Sequence, residues 1–543
     1  MRRITEILIV TIAASVGAIC VVPKALANSP GDTVGFTQYD LQSLCSIGTR
    51  VAADTAGGVH FTWMKGINSN STRNLVYDYL SPSGQWLGEV VLGRYGFPQM
   101  ALMPDGRAVI VSHRANVGSE SLYCAVDAAP GQGYFDFYPM PERMGTATML
   151  WPYVTVDRSG QIQAVASSAF YIGNQSILGY NRSSDGGPSW LSWVPIDSVM
   201  MPTAAVTASP VSDKVSVIYC HPFDTTNQWS NDIYYIQSLD GTNWDWQNGK
   251  VNVTGYGNDN DSISAYLDLD AVYDYNDNLH MVWNTVIDRD PGIGSRISIF
   301  HADQISETLV EITRTDETWT NCGVGSWNLT LAKMSVSVHT SNLLVATYVR
   351  FSPADCSAGG YANGDIYLQH SPDGIVWSVP VNITNSPSPN CNPGDCDSDH
   401  WPSSAERIDN YMHLFYVNDR DAGAIPYYEG SITNNPMLYY RIPVDQLGVD
   451  EDAIVPSGFT LHQNFPNPFN TETSIEFDWP TASRARLSIY DIAGRRIATL
   501  LERHIGPGCH RVTWDATGQT SGIYFARLEC EGRFRTAKLI LLK

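Results

Sequence analysis

The chain has 543 residues, too many for one ordinary core, so two or more folded units are expected. With Tyr 28, Trp 15, Gly 44, Pro 30 and only 16% charged residues, the composition is β-rich and turn-rich, which excludes a mainly helical protein. A formal net charge of −22 repels phosphate backbones and argues against nucleic acid as a partner, while leaving Ca²⁺ or cationic partners open.

In chain order, the first element is a secretory signal. Arg2 and Arg3 precede an apolar run at 7–22, and Ala25-Leu26-Ala27 offers a small-x-small cleavage site. Residues 1–27 are therefore read as a signal peptide. Ile19 before Cys20 is too large for a lipoprotein cleavage box, so no lipid anchor is expected. No later apolar run is long enough to span a bilayer. Removing the signal leaves nine cysteines in a compartment that permits disulfides. Cys391 and Cys396 bracket Asn-Pro-Gly-Asp closely enough to staple a loop; the others cannot be paired from sequence, and none has zinc-site spacing.

Residues 28–446 carry a repeat. Its clearest copy runs from Trp151 through a strand, a turn at 158–160, and strands at 161–167, 176–181 and 190–196. Other copies begin near Arg50, Pro98, Pro202, Leu267, Leu329 and Trp401. A turn motif punctuates them. Ser183, Asp185, Gly187 and Trp190 recur as Ser238, Asp240 and Trp244, and again as Ser371, Asp373 and Trp377. Residues 81–86 are a decayed copy. In such a turn, Asp and Ser bond the local backbone, Gly takes positive φ, and Trp packs the turn onto its sheet. About seven four-stranded units predict a β-propeller, or six if one terminal copy is only a closing strand. The first strand of each unit should line the central channel.

Residues 447–457 read as a linker, and 458–543 as a second module. Strand candidates at 473–477, 485–490, 496–501, 511–514, 523–528 and 536–542 make a small antiparallel sandwich.

Two resemblances follow. The motifs Gln463-Asn-Phe-Pro-Asn-Pro-Phe-Asn470, Ile489-Tyr-Asp-Ile-Ala-Gly-Arg495, 508–515 and 521–525, with Lys538 and a terminal Lys543, resemble the Ig-like C-terminal sorting domain of type IX secretion substrates. That resemblance implies export across a Gram-negative outer membrane, with the type IX machinery as partner. The turn motifs resemble those of sialidase-type (Asp-box, BNR-repeat) propellers, which implies that Asp185, Asp240 and Asp373 are structural and lie opposite the loop face.

On the loop face, Asp288, Arg289, Asp419 and Arg420 form two similar Asp-Arg-Asp loops. Arg114, Arg350 and His221 fall at equivalent places, and Trp151 and Trp401 at the mouths of first strands. Converging arginines could hold a carboxylate, and aromatics could stack on sugars or peptide side chains. The sialidase resemblance would make Arg114, Arg350 and Arg420 a carboxylate-binding set, but no Tyr–Glu pair can be placed beside them. Ion pairing within each turn is the plainer reading of the Asp-Arg-Asp loops. Asp395, Asp397 and Asp399 alternate as Ca²⁺ ligands do, without EF-hand spacing. His60, His280 and His413 recur on second strands, where packing between blades is expected rather than metal binding. The expected function is non-catalytic binding of a glycan or protein ligand at the surface. A sialidase-like hydrolase and a surface scaffold are the alternatives.

Overall fold

The computed structural model describes residues 29–447 and 460–543, except 67–72, 115–120, 170–174, 258–262, 288–295, 307, 316–318, 320, 462–463, 465, 480–482, 506–507 and 531–532. The expected signal peptide, Asp288, Arg289 and nearly all of the expected linker lie outside the described residues.

The body is a β-propeller of seven blades. The innermost strands are Val51–Ala53, Tyr95–Leu102, Ala147–Val156, Ala204–Ala208, Ile263–Tyr273, Leu331–His339 and Ser398–Ser404, and each neighbours the next around a closed ring. Within a blade the strands run antiparallel outwards from the axis, as in Tyr95–Leu102, Ala108–Arg114, Leu122–Asp127 and Phe135–Pro139. Blade 7 takes its outermost strand from the other end of the chain. Asp32–Thr37 pairs with Asn435–Pro443 and so closes the ring. This closing strand is absent from the sequence reading, and it accounts for the seventh blade being complete.

Away from the loop face several innermost-strand residues are small: Ala204, Ala205, Ser335, Ser337, Ser403 and Ser404 are all buried. Ser404 Oγ donates to Ser335 Oγ at 2.9 Å, linking blades 6 and 7. Second strands are buried on both faces because a blade lies on either side; in Tyr411–Asp419 every residue but the first is buried. Fourth strands are short or half-exposed, as in Val251–Asn252 and Val381–Asn382, which limits edge-to-edge pairing.

The three recurrent histidines act within their own blades, not between blades. His60 Nδ1 meets Tyr77 Oη at 2.7 Å, and its Nε2 lies 3.3 Å from Asp54 in the hairpin turn of the same blade. His413 repeats this with Tyr439 at 2.7 Å and Asp409 at 3.2 Å. His280 bridges His301 at 3.0 Å and Asp274 at 3.5 Å. Each ring ties the first hairpin turn to the third strand.

The C-terminal module is a two-sheet sandwich. One sheet orders Thr460–Leu461, Glu472–Trp479 and Gly508–Asp515; the other orders Arg496–Ile505, Ser483–Asp491, Gly522–Cys530 and Arg533–Leu541. Trp479, Leu487, Ile489, Trp514, Leu528 and Leu539 fill its core. The Asn-rich motif is an anchor. Asn464 Nδ2 donates to Thr473 Oγ1 at 2.8 Å, and Asn467 Oδ1 accepts from the Ile540 amide at 2.9 Å.

Candidate functional site

The propeller has a loop face, where the chain enters each first strand, and a turn face, where the tight hairpins lie. On the loop face, five first strands carry a bulge centred on a non-glycine residue at positive φ: Phe97 (50°), Trp151 (47°), Leu267 (75°), Lys333 (53°) and Trp401 (57°). Gly48, φ 63°, precedes the first strand of blade 1. Each non-glycine residue held there costs roughly 1–2 kcal/mol, so the surroundings must enforce the conformation.

Residues 39–49 enforce it by crossing the axis inside this collar. Gln99 Nε2 donates to Ile47 O (3.1 Å), Tyr153 Oη to Ser46 O (3.3 Å), and Ser403 Oγ to Gly48 O (2.9 Å). The Leu269 amide donates to Ser46 Oγ (3.2 Å), and Lys333 Nζ to the carbonyls of Leu44 (3.4 Å) and Cys45 (3.5 Å). Phe97 and Trp401 pack with Leu41 and Ile47, and Leu267 packs with Cys45. The segment is a plug. Trp151 is half-buried against it, and Trp401 is buried, with Lys333 Nζ 4.8 Å from its ring centroid.

The three arginines lie on blades 2, 6 and 7. Arg114 ends a blade 2 strand, paired in register with Tyr95 of the first strand. Arg350 lies over the Tyr367 ring of blade 6 at 5.7 Å. Arg420 pairs with Asp397 and donates to Gly394 O at 3.1 Å, clamping the Cys391–Cys396 loop. Asp399 accepts from Ser29 Oγ (2.8 Å), Ser386 Oγ (2.7 Å) and Asn418 Nδ2 (2.9 Å), and burial pushes its carboxyl up to about 7. The alternating aspartates therefore already have partners within the protein. Among the described residues no group of three or more His, Cys, Asp or Glu could hold a metal ion. A second disulfide, Cys322–Cys356, joins two loop-face segments that sequence could not pair.

Asp419 lies in a buried acidic group with Asp40 and Asp421. Burial, then Asp40 and Asp421 beside it, pushes the Asp419 carboxyl well above the usual carboxylate range. Burial likewise pushes Asp40 up to about 7. Asp40 Oδ2 accepts from the Ile425 amide at 2.8 Å, and the neighbouring Glu429 accepts from Ser326 N and Oγ, both at 2.7 Å. These groups lock the loop at 419–431 over the plug.

The turn motifs hold themselves together on the opposite face. Ser183 Oγ donates to Asp185 Oδ1 (2.8 Å), Ser238 Oγ to Asp240 Oδ1 (3.1 Å) and Ser371 Oγ to Asp373 Oδ1 (3.2 Å). The Gly187 amide donates to Ser183 Oγ at 2.9 Å, and Trp190 and Trp377 pack against blade cores.

The described surface also holds an open groove of about 880 Å³ on the outer wall between blades 3 and 4. Val194 and Pro195 of the strand Val194–Val199 form one side, and Trp244 and Trp246 the other. The two indoles stack at 4.5 Å and 10°. Asp197 sits at the groove's edge and accepts from Tyr219 Oη (2.9 Å), Lys250 Nζ (2.9 Å) and His221 Nδ1 (3.1 Å). Burial alone would raise Asp197, but these donors hold it ionised well below the usual carboxylate range. His221, at the end of the strand Val215–Pro222, thus meets a residue that lines this groove. The sequence reading missed Trp246, although a second tryptophan two residues after a turn-motif tryptophan was a readable signal.

Comparison with known proteins divides the chain. Residues 463–542 match the family model of the secretion system C-terminal sorting domain. The protein is therefore exported, to the medium or to the outer-membrane surface of a Gram-negative bacterium, by the machinery this domain addresses. No curated protein matches the chain. Among solved structures, a PL25-family ulvan lyase is 12% identical, covers 76% of this chain and 96% of its own, and has a TM-score of 0.47. An α-L-arabinanase of Penicillium chrysogenum complexed with arabinobiose is 9% identical over 64% of this chain and 93% of its own, at 0.40. At these scores the likeness carries no argument about activity.

Proposed function

We propose that the protein is an exported binding propeller that holds a glycan in the groove between blades 3 and 4 and does not cleave it. The observation that carries this reading is the Trp244–Trp246 stack beside the Asp197–Lys250 pair. A sugar's C–H face matches an indole face, and an ammonium beside a carboxylate offers a donor and an acceptor to adjacent hydroxyls. The loop face supports the non-catalytic half of the reading. Its axis is filled by residues 39–49, and Arg350 and Arg420 face partners on different blades. The Asp-box reading of the three turns belongs to this proposal as scaffold, because their aspartates bond their own turns.

The test is retention of the purified protein in gels containing a panel of polysaccharides. Trp246→Ala should weaken binding to the retained glycan at least tenfold, about 1.4 kcal/mol. Arg350→Ala should leave it unchanged. Equal retention of wild type and Trp246→Ala would reject the groove.

A further inference from the structure

The three turn motifs differ in how they use the second oxygen of their aspartate. In blade 4, Asp240 Oδ2 accepts from the Asn243 side chain at 2.7 Å. In blade 3, Asp185 Oδ2 accepts from the Ser189 hydroxyl. In blade 6, Asp373 Oδ1 does the turn's work, accepting from the Ile375 amide at 2.9 Å and the Val376 amide at 3.0 Å. Val376 stands where blade 4 has Asn243, so the turn offers no side-chain donor for Asp373 Oδ2. That oxygen is met by the C-terminal module instead. His510 Nδ1 lies 3.4 Å from it and Arg503 Nη2 3.8 Å. Asp373 and His510 are both buried there, at 7% and 4% side-chain exposure, whereas Asp185 and Asp240 are exposed.

Charge agrees with the contact. Residues 458–543 contain 11 Lys and Arg against 8 Asp and Glu, while the remainder of the chain has 22 against 47. A mildly basic module therefore faces a strongly acidic propeller, an arrangement that attracts and that salt screens. Next to the contact lies a cavity of about 580 Å³ lined by Asp274, Asp303, Glu502 and Arg484.

We infer that the blade 6 turn, 371–377, is a docking site for the sorting module of the same chain, selected by the replacement of a local donor with Val376. Docked there, the module covers part of the turn face and leaves the loop face and the groove between blades 3 and 4 open. A protein tethered to a surface through its tail would then present both outward.

The experiment is small-angle scattering of the full chain at low salt, with hydrogen exchange at the amides of Ile375 and Val376. Val376→Asn supplies a local donor like Asn243, and Arg503→Glu repels the turn without altering it. Wild type should scatter as one compact particle with slowed exchange at both amides. Val376→Asn and Arg503→Glu should each increase the maximum dimension, and Arg503→Glu should also speed exchange; Asp240→Asn should do neither. The inference is overturned if wild type scatters as two independent bodies, or if both Val376→Asn and Arg503→Glu scatter like wild type.

Discussion

Lys333 Nζ lies 3.1 Å from Asp268 Oδ1, and neither side chain reaches solvent. The pair joins blades 5 and 6 beneath the plug, and each partner is further bonded. Asp268 Oδ2 accepts from the Lys333 amide at 3.0 Å and from Asn284 Nδ2 at 3.2 Å, while Lys333 Nζ reaches two plug carbonyls. Removing one member of such a pair strands a buried charge and costs about 3–5 kcal/mol. Lys333→Met should lower stability by that amount and speed amide exchange across 39–49. Lys333→Met/Asp268→Asn should lose less than Lys333→Met alone. Denaturant unfolding with hydrogen exchange reads both.

The hairpin lock of blade 1 sets an acid limit. Burial would raise Asp54, but hydrogen bonds from His60 and from the amides of Gly58 and Ala56 bring it down to about 2. A carboxylate whose folded pKa is depressed stabilises the fold above its unfolded pKa of roughly 4, and that contribution is lost as pH falls through the folded value. Asp54→Asn should therefore be less stable than wild type at pH 6, and the gap should close as pH approaches 2. Thermal melts across this range test it.

Two aspartates act in the opposite sense. Burial pushes both Asp270 and Asp399 up to about 7. Between roughly pH 4 and that value the folded state keeps a proton that the unfolded chain has released, so stability falls as pH rises through the window. In Asp270→Asn and Asp399→Asn the decline from pH 4 to 7 should be shallower. The slope is the readout, because each substitution also exchanges a hydrogen-bond acceptor for a donor.

The disulfides should differ in weight. Cys322–Cys356 closes a loop of 34 residues and Cys391–Cys396 one of 5. Chain entropy alone makes these worth about 3.7 and 2 kcal/mol. Cys322→Ala/Cys356→Ala should lower the unfolding midpoint more than Cys391→Ala/Cys396→Ala, and should open the loop face near 321–330 to proteases first.

The blades were legible because their signals are local. A turn motif with its flanking strands lies within about twenty residues, and the Asn-Pro motif of the tail is contiguous. The plug was not legible, because residues 39–49 show neither alternation nor a turn motif, and their bonds run to Gln99, Tyr153, Leu269, Lys333 and Ser403 on five different blades. The closing strand 32–37 pairs with residues some 400 positions away. The same distance problem hides the partners of the loop-face residues. Trp151 and Trp401 sit at first-strand mouths as expected, yet the bulges turn them onto the plug. Arg420 is on the loop face as expected, but Asp397 on the adjoining loop takes it. His221 lies close to Asp197 of the neighbouring blade, a pairing that no local pattern announces.

The fate of a retained glycan decides between holding and cleaving. The glycan held by the wild-type protein would be incubated with it at equilibrium, then examined for new reducing ends and for chain length by mass spectrometry. The glycan should be recovered intact, and Trp246→Ala should no longer hold it. Shortened chains, produced by wild type and by Trp246→Ala alike but not by a loop-face variant such as Arg350→Ala, would contradict non-catalytic binding and make the protein an enzyme working on the loop face.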